Sequence, residues 1–415
     1  MSRRVSTRSP WRRIGRLARL VPLLVGIVVT SGLPMAAAPR AAASAPPTVQ
    51  LRLPAPTGRH GIGTVSLHLV DPSRPDPWVP TQPFRELMIQ LWYPAAAVDG
   101  YPLAPWLEPA TVAAYEQSNG LPAGVLSWPS THANVGAPMA RHAGRRPVVL
   151  YSHGLGGGRT ENTGLVEDLA SHGYIVVAID HIHDARVVGL PDGRLETTAI
   201  PELTHDNELR LTTQAVDARV RDTRFVLDQL AAINGGDNPD AERRPLPRGL
   251  RGTLDLNHIG MFGHSDGGAT TAAAMHLDSR ISAGVNLDGT LWTPEARAGS
   301  TRPLLLFGKQ NLDPFQANTW AAFWASHRGP KLRLSLIGST HATFEDVAVL
   351  VPQAASTLGI SAERLAAAFG AIDGQRAIVI LRAYLKAYFD VYLRHRGDRL
   401  LNGPTVRYPE VQFVC

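Results

Sequence analysis

Hydrophobic positions follow two patterns along this chain, and the first is a series of short, uninterrupted apolar runs. These runs lie at residues 148–152, 174–179, 259–262, 283–287, 304–307 and 332–337. Continuous apolar runs of this length favour strands that are buried on both faces of a parallel sheet. Two further segments, 64–70 and 86–93, alternate polar and apolar residues, which predicts antiparallel strands at an edge of the sheet. The segment 94–147 is broken by proline and glycine and shows no strong period.

The second pattern is helical, and it fills the intervals between the apolar runs. Helices are predicted at residues 163–171 and 205–232, and the last helix of the chain has the clearest period. Its apolar stripe, which favours core packing, consists of Leu381, Tyr384, Leu385, Tyr388, Phe389, Tyr392 and Leu393. Strands that alternate with helices predict an α/β fold with a mostly parallel, doubly wound central sheet flanked by helices in a single domain.

The composition is that of a globular protein with a sizeable core. Of 415 residues, 44% are hydrophobic and 18% are charged. The formal net charge of +6 is misleading, because residues 1–43 contain eight arginines and no acidic residue. The rest of the chain therefore has a net charge of −2, which argues against a nucleic-acid partner.

The N-terminal residues have the pattern of an export signal. A basic start is followed by an apolar stretch at 20–29 and then by alanine triplets at 36–38 and 41–43, which suit a cleavage site. We expect residues 1–43 to be a cleaved signal peptide, residues 44–415 to form the folded domain, and the product to be secreted. An uncleaved membrane anchor is the alternative, although the apolar stretch is short for a membrane span.

The most informative motif is Gly263-His264-Ser265-Asp266-Gly267, which follows the apolar run at 259–262 and precedes a run of small residues. A strand, Gly-x-Ser-x-Gly and a helix in this order describe a nucleophile elbow, a sharp turn that exposes a serine hydroxyl. Glycines flank the serine because side chains would collide in so tight a turn. The helix N-terminus favours developing negative charge. The motif therefore predicts Ser265 as a nucleophile.

A serine hydroxyl needs a neighbouring base to act as a nucleophile at neutral pH. His341 is the best candidate, because it follows the last predicted strand of the apolar series and its loop can return over the elbow. The acid that would orient this histidine has two candidates, Asp288 and Asp313, and each follows a predicted strand. Catalytic groups of such sheets gather at the carboxyl ends of strands, so the residues alone leave both aspartates open.

An acyl-transfer enzyme also needs amide donors for the oxyanion of its tetrahedral intermediate. One is expected to be the amide of Asp266, next to the nucleophile. The second is expected from the glycine-rich loop at 152–158, where the amide of Leu155 is the best placed. This loop lacks the Gly-Lys-Ser/Thr ending of a phosphate loop and the spacing of a dinucleotide fingerprint.

Neither a metal nor a cofactor is predicted. His181, His183 and Asp184 are spaced like metal ligands, but the motif lacks the further ligands of an HxHxDH site. The only cysteine, Cys415, excludes an intrachain disulfide and a cysteine-based zinc site.

In these motifs the chain resembles the plasma, or type II, platelet-activating factor acetylhydrolase family, a branch of the α/β-hydrolases. The matching stretches are 92–94, 147–155, 263–270, 285–288 and 338–344. The resemblance implies an acid at the position of Asp288 and oxyanion amides at Leu155 and Asp266. The chain departs from the family in two places: Asp266 replaces a bulkier apolar residue common in the family, and Asp313 stands where the plasma enzymes have no acid.

We therefore expect an α/β-hydrolase domain at residues 44–415 that acts as a secreted serine esterase through Ser265, His341 and Asp288. The resemblance implies short-chain acyl esters as substrates, including sn-2 short-acyl phospholipids, and transient contact with a lipid surface. One alternative is a general carboxylesterase or cutinase-like polyester hydrolase with Asp313 as the acid. Another is a catalytically silent secreted binding protein on a hydrolase scaffold. Acyl length, head group and oligomeric state stay open at this point.

Overall fold

A computed structural model describes residues 48–141 and 144–414 of the chain. The predicted signal peptide at 1–43 lies outside the described residues, so it stays a prediction. The cysteine at position 415 lies outside them as well. In the part of the chain that is described, no helix is long and apolar enough to cross a membrane.

Fifteen β-strands lie in the described ranges. They are β1 (Val49–Gln50), β2 (Ile62–Asp71), β3 (Arg85–Pro94), β4 (Leu103–Pro105), β5 (Leu126–Ser127), β6 (Ser130–Val135), β7 (Arg146–Ser152), β8 (Ile175–His181), β9 (Val187–Gly189), β10 (Leu195–Thr197), β11 (Leu254–His264), β12 (Ile281–Leu287), β13 (Leu304–Lys309), β14 (Lys331–Leu336) and β15 (Val411–Phe413).

Nine α-helices occur in the same ranges, and α2 and α3 correspond to the helices predicted at 163–171 and 205–232. The helices are α1 (Val112–Ser118), α2 (Thr163–Ser171), α3 (Glu208–Gly235), α4 (Asp266–Leu277), α5 (Pro294–Ala298), α6 (Pro314–Ser326), α7 (Val347–Ala354), α8 (Ala362–Phe369) and α9 (Gly374–Arg394). Short 3-10 helices are found at Pro109–Thr111, His341–Phe344 and Arg399–Leu401.

Eleven of the described strands form the central sheet, in the order β15-β14-β13-β12-β11-β7-β8-β3-β2-β6-β4. From β8 to β14 every neighbouring pair is parallel. The pairs β2–β3, β3–β8 and β14–β15 are antiparallel. This is the mostly parallel, doubly wound sheet that the sequence predicts, and it has the arrangement of the α/β-hydrolase fold.

The prediction that β2 and β3 form an edge of the sheet is wrong. The pattern places β2 and β3 at an edge, but β6 pairs with β2, and β4 pairs with β6 beyond it. Both outer strands come from the proline- and glycine-broken segment 94–147. The buried positions of β6 are Thr131 and Ala133, whose small side chains give a weak hydrophobic pattern, and β4 has only three residues. At the opposite edge β15, also of three residues, pairs with β14.

The helices divide between the two faces of the sheet, and each face has its own apolar core. The helices α3, α4 and α6 pack on one face, where Leu227 and Trp320 are buried. The helices α2 and α9 pack on the other face, and the aromatic stripe of α9 supplies Tyr384 and Phe389 to that core. A fully buried Phe side chain contributes roughly 1.5–3 kcal/mol, so the stripe anchors α9 to the sheet as predicted.

A buried ion network fastens α3 to the sheet. Asp222 of α3 is fully buried, and its carboxylate accepts hydrogen bonds from Arg85 Nη2 at 2.8 Å and from Arg74 Nη2 at 2.6 Å. Nδ1 of His181, the last residue of β8, lies 2.8 Å from the same carboxylate. Burial by itself would raise the pKa of Asp222, but the charge of Arg85 holds that pKa well below its usual range. An ionised aspartate therefore links β3, β8 and α3.

Removing this charge should destabilise the protein. Asp222→Asn leaves Arg85 buried without its full counter-charge, so we expect the free energy of unfolding to fall by about 3–5 kcal/mol. The matched control is Asp228→Asn on the same helix, because that side chain is 62% exposed; its effect should stay below about 1 kcal/mol. Urea unfolding followed by circular dichroism measures both variants. Equal effects of the two substitutions would contradict a stabilising role for the network.

Candidate active site

The serine of the Gly-x-Ser-x-Gly motif lies at a sharp turn between β11 and α4. Ser265 has φ 55° and ψ −123°, a positive-φ backbone that is strained for a residue with a side chain. The turn has no room for a side chain at its first glycine, because a Cβ on Gly263 would lie 2.2 Å from the carbonyl carbon of Gly267. The local geometry is that of a nucleophile elbow.

His341 and Asp288 lie together beside this turn. His341 begins the 3-10 helix after β14, and Asp288 directly follows β12. Nδ1 of His341 is 2.6 Å from Oδ2 of Asp288; the Asp288 side chain is fully buried and that of His341 is 44% exposed. In the described structure the hydroxyl of Ser265 makes no hydrogen bond, and catalytic contacts are often longer before substrate binds. The imidazole thus has a buried carboxylate on one side and is open to solvent on the other.

Two further residues hold the carboxylate of Asp288. The backbone amide of Lys309 donates to Oδ1 at 3.0 Å, and its ammonium donates to Oδ2 at 3.2 Å. Nε2 of Gln316 donates to Oδ1 at 3.2 Å. Burial by itself would raise the pKa of Asp288, but the hydrogen bond and charge of His341, followed by Lys309, lower it to about 2. Asp288 is therefore ionised throughout the neutral pH range.

The alternative acid, Asp313, has a different contact. Its Oδ1 accepts a hydrogen bond from the amide of Gln316 at 2.9 Å, as the N-cap of α6. Its Oδ2 lies 4.0 Å from Nζ of Lys309, and its side chain is 33% exposed. The structure brings His341 together with Asp288 and leaves Asp313 at the helix end.

His264, the residue before the serine, supports the loop that carries His341. Its Nε2 lies 3.1 Å from the carbonyl oxygen of His341, and the centroids of the two rings are 4.5 Å apart. On the other side of the ring, Nδ1 lies 2.8 Å from Oε1 of Glu345. Burial would lower the pKa of His264, but the Glu345 carboxylate raises it. His264 therefore bridges the end of β11 and the loop after β14.

A fully buried arginine holds the glycine-rich loop. Arg219 of α3 donates from Nη1 to the carbonyl of His153 and from Nη2 to the carbonyl of Gly154 at 3.0 Å. Asp184 accepts two hydrogen bonds of 2.6 Å from the same guanidinium. In a trans peptide the N–H and C=O groups point in opposite directions. The amide of Leu155 shares its peptide with the Gly154 carbonyl, so it points away from Arg219.

The amides of Leu155 and Asp266 are both available to a ligand. Neither N–H donates a backbone hydrogen bond within residues 48–141 and 144–414. Gly154 packs against the serine, because a Cβ on Gly154 would lie 3.3 Å from Cβ of Ser265. Asp266 is the first residue of α4, where the helix dipole favours negative charge. The serine thus stands between a loop and a helix start that each offer a free amide.

The side chain of Asp266 is directed to the loop after β12. Its Oδ1 accepts a hydrogen bond from the indole of Trp292 at 2.8 Å, and its Oδ2 is buried without a partner among the described residues. Trp292 packs against Phe315 with ring centroids 5.4 Å apart. Burial raises the pKa of Asp266 to about 6, although the nearby Arg219 opposes this shift. A carboxyl group with a raised pKa therefore lies next to Ser265.

The residues spaced like metal ligands form ion pairs and hydrogen bonds of their own. Asp184 pairs with Arg219, and Nε2 of His183 lies 3.1 Å from Oε2 of Glu196. Within the described ranges, no three histidine, cysteine, aspartate or glutamate residues are grouped so that they could hold a metal ion.

A second serine, histidine and aspartate form a hydrogen-bonded row at the base of the glycine-rich loop. Oγ of Ser152 lies 3.0 Å from Nε2 of His181, whose Nδ1 lies 2.8 Å from Oδ2 of Asp222. All three residues are fully buried. Burial lowers the pKa of His181 even though Asp222 opposes the shift. Since no substrate can reach this row, it serves to tie β7, β8 and α3 together.

Several residues that position the site are missing from the sequence-based prediction. They are Arg219, His264, Lys309, Gln316 and Glu345. His264 adjoins the predicted nucleophile, and Glu345 follows the His341 loop by a few positions, so neighbourhood in the sequence is a usable signal for both. Arg219 and Gln316 lie within helices, where the apolar period does not distinguish them from solvent-facing polar residues.

Comparisons with known proteins agree with this architecture. The family model described as platelet-activating factor acetylhydrolase, isoform II, matches residues 50–389. The chain is 28% identical over 278 residues to a probable 1-alkyl-2-acetylglycerophosphocholine esterase of Arthroderma benhamiae, covering 65% of this chain and 66% of the relative. It is 29% identical over 198 residues to the platelet-activating factor acetylhydrolase of Canis lupus familiaris, covering 43% and 42%. The chain thus spans just under two thirds of the fungal relative and less than half of the canine one.

A solved structure is similar over most of the chain. The ferulic acid esterase of Streptomyces cinnamoneus superposes with a TM-score of 0.73 at 35% identity, covering 88% of this chain and 99% of that one. The fold of a known esterase and the family match over residues 50–389 agree with the motifs around the elbow. The chain belongs to the platelet-activating factor acetylhydrolase isoform II family.

Proposed function

We propose that the chain is a serine esterase in which Ser265, His341 and Asp288 act as nucleophile, base and acid. The observation that carries the proposal is the 2.6 Å contact between His341 and the buried Asp288, beside the strained turn at Ser265. An ionised aspartate on one ring nitrogen orients an imidazole and stabilises its charged form. The names of the relatives, an esterase and an acetylhydrolase, support the reaction class.

The proposed reaction has two halves. Nε2 of His341 takes the hydroxyl proton while Oγ of Ser265 bonds to the ester carbonyl carbon, and the amides of Leu155 and Asp266 hold the resulting oxyanion. The imidazolium then gives its proton to the alcohol oxygen as the carbon–oxygen bond breaks, which leaves an acyl-enzyme. A water molecule that loses a proton to the same imidazole attacks the acyl carbon. The serine leaves with that proton, and the acid is released.

The substrates we propose are esters of short acyl groups. The relatives are named for 1-alkyl-2-acetylglycerophosphocholine and for platelet-activating factor. These names support acetyl and other short sn-2 acyl groups on glycerophospholipids as the substrate class of this chain. A phospholipid substrate also implies transient contact with a lipid surface.

Esters of aromatic acids are a second candidate. The similarity to a ferulic acid esterase, at 35% identity over 99% of that chain, favours them. Trp292 and Phe315 form an aromatic pair next to Asp266, and such a pair offers an apolar surface for an aromatic acyl group. A cutinase-like polyester hydrolase with Asp313 as the acid has less support, because Asp313 caps α6.

We further propose that the protein is exported. Residues 1–43 have the basic, apolar and small-residue sequence of a signal peptide. In this proposal, residues 44–415 form the mature hydrolase domain.

A substrate panel tests the proposed activity. Purified protein is assayed on p-nitrophenyl acetate, a longer p-nitrophenyl ester, a short-acyl phosphatidylcholine and methyl ferulate. We expect turnover of the short-acyl esters and a loss of at least about a thousandfold in kcat for Ser265→Ala. A fluorophosphonate probe should label the wild-type protein and not the variant. Preference for methyl ferulate would favour the second candidate, whereas no turnover and no labelling would indicate a silent binding protein.

The choice of acid is tested by two matched substitutions. Asp288→Asn should lower kcat/KM by about 10³–10⁴-fold, because an uncharged partner neither orients nor stabilises the imidazolium. Asp313→Asn should change kcat/KM by less than about threefold, since asparagine also serves as a helix N-cap. Circular dichroism confirms that both variants are folded. Loss of activity in Asp313→Asn alone would transfer the role of acid to Asp313.

Asp266→Asn should change how stability depends on pH. The pKa of Asp266 in the folded protein, about 6, lies above its ordinary value of 3.8, so the folded form holds this proton more tightly than the unfolded chain. The resulting stabilisation is complete below about pH 4 and is lost as the pH rises to about 6, by up to about 3 kcal/mol. Urea unfolding at successive pH values should show a shallower decline for the variant. Identical profiles for both proteins would show that Asp266 titrates like an exposed aspartate.

A further inference from the structure

A cavity lined by cationic side chains lies at the end of the sheet opposite the serine. Its volume is about 370 Å³, and its wall contains four histidines, one acidic residue and five arginines. The arginines are Arg59, Arg145, Arg146, Arg394 and Arg396. The cavity forms where β7 and β11 begin and where α2 and α9 end. Since β7 has seven residues at about 3.3 Å each, the cavity is roughly 20 Å from the glycine-rich loop.

The charges of this cavity are not balanced by the residues that the structure describes. Arg394 pairs with Asp390 at 3.0 Å, and the single acidic residue of the wall, Asp255, lies 2.8 Å from His258. The other four arginines form no ion pair with any described carboxylate. Residues 44–415 carry a net charge of −2, so this concentration of arginines does not reflect the average composition.

Arg146 is the buried centre of the cluster. Arg146 is only 4% exposed, and its Nη1 donates a hydrogen bond to the carbonyl of Gly173 at 3.2 Å. Its Nε is buried and has no hydrogen-bond partner among the described residues. Burial, followed by the nearby Arg394, lowers the pKa of Arg146. A buried cation in this state is unfavourable unless a ligand completes its hydrogen bonds and neutralises its charge.

Side-chain nitrogens of two arginines and one histidine converge at Gly173, on the wall of the cavity. A Cβ placed on Gly173 would lie 3.1 Å from Nη1 of Arg146, 3.2 Å from Nη2 of Arg394 and 3.7 Å from Nε2 of His60. Gly173 has φ 97°, a conformation that favours glycine. The missing side chain thus leaves two guanidinium groups and the ring of His60 close to a single point.

Capping of a helix end explains only part of this arrangement. Nη1 of Arg394 donates to the carbonyl of His172 at 3.1 Å, and Arg146 donates to the next carbonyl. Both carbonyls lie at the C-terminus of α2, where the helix dipole favours cations. These contacts use one nitrogen of each guanidinium, and the three exposed arginines of the cavity take no part in them.

We propose that this cavity binds a phosphate-type oxyanion. Guanidinium groups present paired N–H donors that match phosphate oxygens, and several arginines around one cavity favour a multiply charged anion over a single carboxylate. A volume of about 370 Å³ is within the range of small-molecule sites, so it admits pyrophosphate or a phosphate ester. Dissolved phosphate compounds and the head groups of anionic phospholipids share this chemistry.

Binding of a dissolved anion is tested by thermal unfolding of the full protein in pyrophosphate and in sodium chloride of the same ionic strength. A ligand of the folded state raises Tm, so Tm should be higher in pyrophosphate. Calorimetric titration should show affinity about tenfold weaker in Arg59→Gln and in Arg396→Gln. Arg364→Gln, an exposed arginine of α8 outside the cavity, is the matched control and should bind like the wild type. Arg146→Gln should abolish binding, but its burial puts the fold at risk, so the exposed variants decide the result.

Vesicle flotation separates the two sources of phosphate. If the ligand is a lipid head group, the protein should float with vesicles that contain phosphatidic acid and not with pure phosphatidylcholine, and Arg59→Gln and Arg396→Gln should reduce flotation. Pyrophosphate binding that is weakened in these variants, with no selective flotation, assigns the site to a dissolved anion instead. The proposal is overturned by equal Tm in pyrophosphate and chloride together with no selective flotation. It is equally overturned by a response that the cavity variants share with Arg364→Gln.

Discussion

Around Ser265 three segments of backbone approach one another more closely than side chains would allow. A Cβ on Gly289, in the loop after β12, would lie 2.1 Å from the carbonyl oxygen of Ser265. Parallel pairing sets this proximity, because the register aligns Gly263 of β11 with Ser152 of β7 and aligns the ends of β11 and β12. The loops that carry the free amides and Asp288 therefore leave the sheet at the same level. The chemistry of the site is a consequence of sheet register together with glycine at the points of contact.

Buried charges hold these loops in position. Arg219 fastens the glycine-rich loop to α3, the contact of His264 with Glu345 supports the His341 loop, and Lys309 secures Asp288. Breaking such a pair leaves one charge buried and unpaired, which costs several kcal/mol. Each loop therefore has few alternative positions. Donors and charges that are fixed before substrate arrives need no reorganisation during the reaction, which is the condition for strong electrostatic stabilisation of an oxyanion.

Two sets of serine, histidine and aspartate are present, and exposure separates their roles. The row of Ser152, His181 and Asp222 is connected by hydrogen bonds of ordinary length but is fully buried. The set at the elbow includes a histidine whose side chain is 44% exposed. If an unbroken chain of hydrogen bonds were the only criterion, the buried row would be chosen as the catalytic set. In the proposed function, access for an ester and the free amides nearby favour the set at the elbow.

The sequence by itself determined the fold class and the candidate nucleophile and base, because both depend on local patterns of apolar runs, glycines and strand ends. The order of residues left both Asp288 and Asp313 open, since each follows a strand in the same way, and only the family resemblance favoured Asp288. Only the tertiary structure places Asp288 against His341 and leaves Asp313 at a helix cap. The tertiary structure likewise shows which strands lie at the edges of the sheet. It also shows the contacts of Arg219, which donates a hydrogen bond to a carbonyl 65 residues away. Contacts between distant segments depend on how the strands assemble, so they do not produce a periodic pattern in the sequence.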